Sequence, residues 1–389
     1  MQSFDTIVLG LGAMGSAALY HLARKRGRVL GIDRFSPPHA LGSTHGDTRV
    51  TRLAIGEGGH YTPLALRSHA LWRELEAESG DELLTTNGGL IISSADATSH
   101  THVAHFFANT LAAARRYGIA HELLDAAEIR RRFPQFKVSG AEQGYLERDA
   151  GFVRPERCVA AHLRQAELRG ATIHRDETVV AFRGTASGVT VTTDRDVYAT
   201  ATLIVAAGAW LPGLLGRELA RPFTVYRQTL FWFEIEGPGS QFAVERCPIF
   251  IWELKGRKQG VYGFPAVDGE RGGVKIATEQ FAEATDPDAV RRNVTDEEMQ
   301  AMYADYVVPY ISGVGARCLK TATCLYTVTP DFGFVIDRHP AAERVLLVSP
   351  CSGHGFKHSP AIGEALAEVA TGGAPRVDLT PFALSRFQS

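Results

Sequence analysis

The order of apolar and polar positions predicts a β-strand, a helix and a second β-strand at the start of the chain. Residues 6–9 form a short apolar run, helical periodicity continues to Lys25, and a second apolar run ends at Asp33. Residues 36–59, rich in Gly, Pro, His and Thr, predict a loop. Four more helices and a strand pair around two glycines follow, and Asp125 is the predicted N-cap of the third of these helices. They are predicted at 64–78, 103–117, 126–133 and 158–169, with the strand pair at 84–93.

The pattern changes between residues 171 and 210, where short alternating strands are separated by turn residues. The strands are predicted at 179–182, 189–192 and 203–207. They form a β-meander that leads into a strand of parallel type. Apolar and polar positions alternate again in residues 224–279, notably at 229–233 and 260–264, and this pattern predicts a second sheet. The last elements are a helix at 296–310, strands at 334–337 and 345–348, and a helix at 361–371.

A glycine-rich turn joins the first strand to the first helix and carries the chemistry of this segment. Gly10 permits a tight turn, Gly12 lets the backbone approach a pyrophosphate, and Gly15 lets the helix pack closely on the strand. Asp33 follows about twenty residues later, where an acid can accept hydrogen bonds from ribose hydroxyls. The segment therefore predicts a dinucleotide site, with a glycine turn of another α/β fold as the alternative.

The meander favours FAD over a nicotinamide as the dinucleotide. Large FAD-binding folds contain such an insertion, whereas a nicotinamide domain would continue with βαβ units. The 389 residues exceed one average core and predict two domains, both discontinuous because the final segment folds back onto the first.

Composition and charge narrow the class of protein further. The net charge of -2 argues against nucleic-acid and membrane-surface partners, which both need a basic face. There is no apolar stretch of membrane-spanning length and no secretory leader, so a cytoplasmic location is expected. The cysteines are odd in number and lack metal spacing, which predicts neither a disulfide framework nor a metal site. They are Cys158, Cys247, Cys318, Cys324 and Cys351.

Several unusual strings occur together in a fixed order along the chain. They are Pro-Pro-His at 37–39, Gly-Ser-Thr-His-Gly-Asp-Thr-Arg at 42–49 with Arg52, Tyr-Gly-Phe-Pro at 262–265, Gly-Val-Lys-Ile at 273–276, Cys-Leu-Tyr-Thr at 324–327, Phe-Val-Ile-Asp at 334–337, Ser-Gly-His-Gly-Phe-Lys at 352–357, Asp-Leu-Thr-Pro-Phe at 378–382 and Ser-Arg-Phe-Gln at 385–388. In these strings the chain resembles the monomeric sarcosine oxidase and N-methyltryptophan oxidase family of flavoenzymes. The closing string leans toward the N-methyltryptophan oxidase branch.

The resemblance implies an α/β (α+β) fold, with a glutathione-reductase-like FAD domain and a catalytic domain on a mixed β-sheet. It also implies FAD bound covalently, through a cysteine thioether to the 8-methyl carbon of the flavin. Members oxidise N-methyl amino acids at the C–N bond, and the imine hydrolyses to formaldehyde and an amine. O2 reoxidises the flavin to give H2O2, and a monomer is expected. The implied domains are 1–85, 150–217 and 322–389 for FAD, and 86–149 and 218–321 for catalysis.

The resemblance also assigns roles to individual residues. Cys324 matches the flavin-attachment cysteine, with Cys318 as the nearby alternative, and a thiol in reach of the ring is what the chemistry requires. Arg52 and Lys357 match the pair that binds the substrate carboxylate, a planar fork beside a point charge. Lys275 matches a lysine near the ring that stabilises charge on O2. For each charged residue the plain alternative is a solvated surface position.

Further matches surround the expected flavin ring. Arg49 and Thr48 match residues close to the ring, and Arg49 could stabilise the reduced, negatively charged flavin. His45 and Tyr262 match active-site residues, with ordinary packing as the alternative for both. The residues expected to contact the cofactor are Gly10, Gly12, Met14, Gly15, Asp33, Arg34, Ser43, Thr48, Val180, Gly208, Cys324, Gly353, Gly355, Phe356 and Lys357.

Two positions depart from the family pattern and leave the substrate open. The family has a histidine four residues after the active-site lysine, where this chain has Glu279, and an aromatic residue where it has Ile55. A larger or positively charged N-substituted amino acid is therefore one hypothesis. Three rival functions stay open: an FAD enzyme for another amine or imino acid, a nicotinamide dehydrogenase, and a flavin protein without catalysis. The expected ligands are a small amine and O2.

Overall fold

The computed structural model of the protein describes residues 1–25, 27–99, 103–185 and 187–387. Gln388, the last residue of the closing string, lies outside this range. The strands are β1 Gln2–Leu9, β2 Val29–Ile32, β3 Arg49–Thr51, β4 Leu84–Thr85, β5 Gly89–Ser94, β6 His121–Asp125, β7 Glu142–Glu147, β8 Gly151–Val153, β9 Thr172–His174, β10 Val179–Gly184, β11 Val189–Thr193, β12 Val197–Val205, β13 Thr224–Ile235, β14 Ile249–Trp252, β15 Val261–Phe264, β16 Val274–Thr278, β17 Val314–Val328, β18 Val335–His339 and β19 Ala342–Ser349. The α-helices are α1 Ala13–Ala23, α2 Thr62–Ser79, α3 Phe106–Tyr117, α4 Ala126–Arg132, α5 Pro155–Leu168, α6 Leu211–Leu214, α7 Arg217–Ala220, α8 Asp296–Met302 and α9 Ser359–Ala370.

The first sheet is built around the buried strand β1 and has the order β10-β11-β12-β1-β2-β9. Strands β1, β2 and β9 are parallel, and the far half of β12 pairs in parallel with both β1 and β19. Helix α1 packs between this sheet and helices α5 and α9. The antiparallel ladder β10-β11-β12 confirms the predicted meander.

The second sheet is mixed, with the order β17-β13-β16-β15-β14-β5-β7-β6. Its pairs are antiparallel except for β14 with β5. An aromatic-rich core that includes Phe136, Phe250 and Trp252 covers one face. A small sheet, β3-β8-β4, lies beside it and carries Arg49 on its first strand.

Three local predictions need correction. The strands β4 and β5 do not pair with each other: β4 joins β8, whereas β5 lies between β14 and β7, because the chain turns away at Gly88. The loop predicted at 36–59 contains β3. The helix predicted at 296–310 is α8 followed by a π-helical turn at Tyr303–Val307. The Asp125 N-cap is confirmed, and a reciprocal capping box with Glu128 completes it.

The long strand β17 escaped the sequence pattern and connects the two halves of the molecule. It pairs with β13 along nearly its whole length and places Cys324 opposite Gln228. Its first half is partly exposed and its second half is buried on both faces, so neither half alternates cleanly. The strand also runs across the domain boundary predicted at 321–322, and the domain division stays a prediction.

Within the described residues, no helix has the length and apolar character needed to cross a bilayer. The same residues contain no cluster of three metal-ligating side chains.

Candidate active site

A cavity of about 350 Å³ lies where β1, β2 and β12 of the first sheet end. Gly10 has φ of +84°, and a Cβ there would lie 2.5 Å from the Ala206 carbonyl oxygen. A Cβ at Gly15 would lie 1.7 Å from the Gly10 oxygen, so both glycines are required by the turn itself. A Cβ at Gly12 would meet only Thr44 Oγ1, at 3.5 Å, and Gly12 lines the cavity at the N-terminus of α1. The turn thus leaves its open side to a ligand.

Asp33 joins the glycine turn to the end of β2. Its Oδ2 accepts a hydrogen bond from Leu11 N at 2.6 Å, and its Oδ1 accepts one from Phe35 N at 2.8 Å. Burial raises the pKa of Asp33, and these two N–H groups oppose the rise. The carboxylate therefore fixes the turn and also reaches the cavity wall.

Most of the residues expected to contact a dinucleotide line this large cavity. Those on its wall are Gly10, Gly12, Met14, Asp33, Arg34, Ser43, Gly208, Gly353, Gly355 and Phe356. Gly15 supports the turn from behind, while Thr48 and Lys357 line a neighbouring cavity. Val180 is 58% exposed, and its neighbour Val179 lines the wall instead, so the structure does not bring Val180 to the cavity.

The neighbouring cavity, of about 80 Å³, opens beside the large one. The two cavities share wall residues, which are Arg49, Tyr326, Gly353 and Phe356. The small cavity brings together residues from distant parts of the chain. The sequence analysis named these residues as site candidates but could not predict how they are arranged. They are Thr48, Arg52, Tyr262, Lys275, Glu279 and Lys357.

Lys275 lies buried on β16 and faces the loop before β3. Its Nζ donates hydrogen bonds to Gly46 O at 2.7 Å, Thr48 O at 2.9 Å and Thr48 Oγ1 at 3.2 Å. The rings of Trp232 and Phe264 lie 5.2 Å and 4.8 Å from the same atom. Burial lowers the pKa of Lys275 well below its usual value, and Arg49 lowers it further. The three oxygen acceptors around Nζ favour the ammonium form that burial opposes.

The loop offers its carbonyl groups to Lys275 because its N–H groups are held elsewhere. Glu156 Oε1 accepts hydrogen bonds from Gly46 N at 2.6 Å and from Asp47 N at 3.1 Å. Arg49, on the wall of both cavities, donates to Thr48 O and Ser43 O, each at 2.8 Å. Glu156 has no motif to mark it, and the sequence did not reveal its role.

Arg52 lies at the other side of the small cavity, paired with a carboxylate that the sequence also did not reveal. Its Nη2 lies 2.5 Å from Glu57 Oε2, and its Nη1 donates to Ala54 O at 2.7 Å. Both charged side chains are nearly inaccessible, at 4% and 2% exposure. Lys357 Nζ donates to His354 O at 2.5 Å. Burial lowers the pKa of Lys357 to about 8, against the opposing effect of Glu57.

Comparison with known proteins shows the family. Residues 5–369 match the family described as FAD dependent oxidoreductase. This chain belongs to that family. It is 42% identical to a monomeric sarcosine oxidase of Streptomyces avermitilis over 372 residues, 95% of this chain and 94% of the relative. It is 34% identical to an N-methyl-L-tryptophan oxidase of Salmonella newport, covering 99% of this chain and 100% of the relative. The resemblance drawn from the sequence strings is confirmed.

Solved structures agree on the fold of this FAD-dependent oxidoreductase. NikD, described as an unusual amino acid oxidase essential for nikkomycin biosynthesis, superposes with a TM-score of 0.85 at 24% identity, over 98% of each chain. Glycine oxidase from Geobacillus kaustophilus gives 0.77 at 18% identity, over 99% of each chain. The predicted α/β flavoenzyme fold is confirmed.

The large cavity fits the FAD of this oxidoreductase. The open side of Gly12 at the N-terminus of α1 suits the diphosphate, since a helix N-terminus attracts anions. Asp33 suits the ribose hydroxyls. Arg49 faces both cavities and suits the charge of a reduced ring. The small cavity adjoins this site through the shared wall residues.

Cys324 is fully buried on β17 and lies on the wall of neither cavity. Burial raises the pKa of its thiol, while Arg49 and Lys275 oppose the rise. Cys318 lies six positions before Cys324 on the same strand, which is roughly 20 Å in an extended chain. Cys318 is only partly buried. Cys351 does line the large cavity, although no sequence motif marks it as a candidate for flavin attachment.

His45 and Tyr262 occupy different surroundings in the oxidoreductase. His45 lines neither cavity, and burial lowers its pKa to about 3, so the ring is neutral at physiological pH. Tyr262 on β15 lines the small cavity and hydrogen-bonds to Tyr326. Burial raises the pKa of Tyr262, and Cys324 and Glu279 add to the rise. Tyr262 therefore contributes a neutral phenol to the wall of the small cavity.

Proposed function

We propose that this FAD-dependent oxidoreductase is an oxidase of N-substituted amino acids that uses O2 as acceptor. The observation that carries the proposal is the small cavity, which places Arg52 and Lys357 beside the cavity that fits FAD. Two cations in a buried pocket favour a carboxylate-bearing substrate. The names of the relatives, sarcosine oxidase and N-methyl-L-tryptophan oxidase, support an amine as the oxidised group.

The overall reaction balances with water and O2 as co-reactants. When bound, FAD would supply the acceptor for a hydride from a carbon attached to the substrate nitrogen, the nitrogen would lose its proton as the imine forms, and the two electrons would go on to O2. For an N-methyl substrate, the secondary amine, O2 and water give the primary amine, formaldehyde and H2O2. A monomeric state and a cytoplasmic location complete the proposal. The first rests on the relatives named monomeric, and the second on the five cysteines, none of which forms a disulfide.

The substrate carboxylate would bind between Lys357 and Arg52. Arg52 is fixed in place by its contacts with Glu57 and Ala54, so its guanidinium is oriented before the substrate arrives. Lys357 follows the glycine turn at 353–355 and precedes α9, which holds its ammonium group on the cavity wall. We propose that Lys275 stabilises the negative charge that forms on O2 as it accepts electrons, because Lys275 is a buried cation on the same wall.

Carboxylate binding should weaken as pH rises through the pKa of Lys357. The pKa is lowered to about 8, so the side chain is charged below that pH and neutral above it. A carboxylate inhibitor without an oxidisable amine should bind roughly tenfold more weakly at about pH 9 than at about pH 7. Flavin absorbance changes on titration measure this affinity. Lys357→Arg should remove the pH dependence, and the same dependence in that variant would assign it to another group.

Anaerobic mixing with N-methyl amino acids tests the proposed function. We expect at least one, in a panel that includes sarcosine and N-methyl-L-tryptophan, to bleach the flavin with release of formaldehyde. Failure of every amine in the panel to bleach it would contradict an amine-oxidising function.

A further inference from the structure

The loop that precedes β3 lies between two opposite charges. On one side, Glu156 Oε1 accepts hydrogen bonds from Gly46 N at 2.6 Å and from Asp47 N at 3.1 Å. On the other side, Lys275 Nζ donates to Gly46 O at 2.7 Å and to Thr48 O at 2.9 Å. A carboxylate and an ammonium group are thus separated by one short stretch of main chain.

A single peptide unit contacts both charges. The carbonyl group of Gly46 and the N–H group of Asp47 belong to the same trans peptide, so they point in opposite directions. The N–H end of this unit faces Glu156, and its carbonyl end faces Lys275. The dipole of the peptide is therefore aligned favourably with both charges, and a carbonyl oxygen aimed at an ammonium group favours its charged form.

The backbone conformation of this loop needs outside support. Gly46 and Asp47 have φ values of +98° and +67°, a region that side chains rarely adopt. Rotation of the peptide unit between them would turn the Gly46 carbonyl away from Lys275. Glu156 opposes this rotation with its two hydrogen bonds. Glu156 is itself placed in the first turn of α5, where the helix N-terminus favours a carboxylate.

The charge of Lys275 depends on opposing effects from several elements. Burial lowers the pKa of Lys275 and Arg49 lowers it further, whereas Cys324, Asp47 and Glu156 oppose the fall. The other titratable groups that face this part of the site are His45, Arg52, Glu57, Tyr262, Glu279, Tyr326 and Lys357.

Glu156 differs from the other two groups that favour the charged form. The Asp47 carboxylate accepts hydrogen bonds from Lys320 Nζ at 2.7 Å and 2.9 Å, so its charge is compensated in part. Burial raises the pKa of the Cys324 thiol, which favours the neutral thiol. Glu156 instead directs its carboxylate to main-chain N–H groups, and the peptide unit carries its effect to Lys275.

We propose that Glu156 is a positioning residue for Lys275: its carboxylate, acting through the peptide unit between Gly46 and Asp47, keeps the Lys275 side chain in its ammonium form. The inference deepens the proposed function and rests on it for the role of that charge in the reaction with O2. The charge itself can be measured without turnover.

NMR of the purified flavoprotein follows the charge of Lys275 directly. In protein labelled with carbon-13 at the lysine Cε, each signal reports protonation of the adjacent Nζ, and the Lys275 signal is the one missing from Lys275→Met. Glu156→Gln keeps the shape and loses the charge, so it should lower the pKa of Lys275 by about 1. Glu167→Gln removes an exposed carboxylate from the same helix and should leave this pKa unchanged.

Glu156→Asp separates the effect of the charge from that of the shape. It keeps the carboxylate one methylene further from the loop and should lower the pKa of Lys275 about half as much as Glu156→Gln does. A purely structural role predicts a loss at least as large, because aspartate reaches the loop less well than glutamine. This variant also provides the test if Glu156→Gln does not fold.

Rapid mixing of the reduced enzyme with O2 connects the charge to the reaction. The ammonium form of Lys275 is present below its pKa and is lost above it, so a lower pKa moves the loss of rapid reoxidation to lower pH. In Glu156→Gln a tenfold fall in the reoxidation rate should occur at a pH about 1 lower than in the natural protein. Reduction by substrate should keep its pH profile.

An unchanged Lys275 pKa in Glu156→Gln, or a fall in Glu156→Asp at least as large as in Glu156→Gln, would overturn the inference and leave the proposed function intact. If the pKa falls as expected but the reoxidation profile does not follow it, the positioning role stands and the role of Lys275 in the proposed function fails. If no amine reduces the flavin, the proposed function fails, and the NMR comparison still decides the inference.

Discussion

Replacing Lys275 with methionine should slow reoxidation of the reduced enzyme by O2 about 10²–10³-fold. Methionine has a similar length and no charge, so the cavity stays filled while the cation is lost. The reason for the large effect is burial: Lys275 is 1% exposed, and a charge in such surroundings acts strongly on a negative charge that develops nearby. Reduction by substrate should change far less, because the proposed function assigns carboxylate binding to Arg52 and Lys357.

Rapid mixing measures the two half-reactions separately. The substrate reduces the flavin without air, and the reduced enzyme is then mixed with O2. Lys320→Met is the matched control, because Lys320 also lies over the Trp232 ring, at 4.7 Å, but pairs with Asp47 and is half exposed. We expect the control to reoxidise at the normal rate. Equal losses in both half-reactions of Lys275→Met would indicate a damaged site rather than a lost oxygen contact.

Replacing Cys324 with serine should abolish covalent attachment of the flavin. In the natural protein the flavin should stay with the polypeptide after acid precipitation, whereas in Cys324→Ser it should appear in the supernatant. A thioether needs a thiolate, and Cys324 is the thiol next to two cations, Arg49 and Lys275, that favour the charged form.

Cys351 and Cys318 provide the controls for this experiment. Cys351→Ser is the more stringent control, because Cys351 lines the cavity that fits FAD whereas Cys324 does not. Burial raises the pKa of the Cys351 thiol, and hydrogen bonds from the backbone oppose the rise. Both control variants should retain bound flavin. Retention in Cys324→Ser combined with loss in Cys351→Ser would move the attachment to Cys351.

The cofactor half of the site could be predicted from the sequence because it depends on local spacing. Gly10, Gly12 and Gly15 lie within one turn, and Asp33 is fixed by the length of a single βαβ unit. The meander after residue 171 could be predicted for the same reason, since its strands pair with their neighbours in sequence.

The substrate half depends on long-range contacts that periodicity does not encode. Glu57 is an ordinary acid in a glycine-rich loop until folding places it against Arg52. Lys275 reaches the loop at 46–48 across more than half of the chain, and β17 joins β13 without an alternating pattern. The matches to family strings named Lys275 and Lys357, but only the structure shows which groups hold them.

The most direct measurement follows the electrons after an amine has bleached the flavin without air. Admission of air should restore the oxidised spectrum within seconds and release one H2O2 for each flavin, as an oxidase of N-substituted amino acids requires. A flavin that stays reduced in air and recovers only with an artificial electron acceptor would contradict the account, because the enzyme would then be a dehydrogenase.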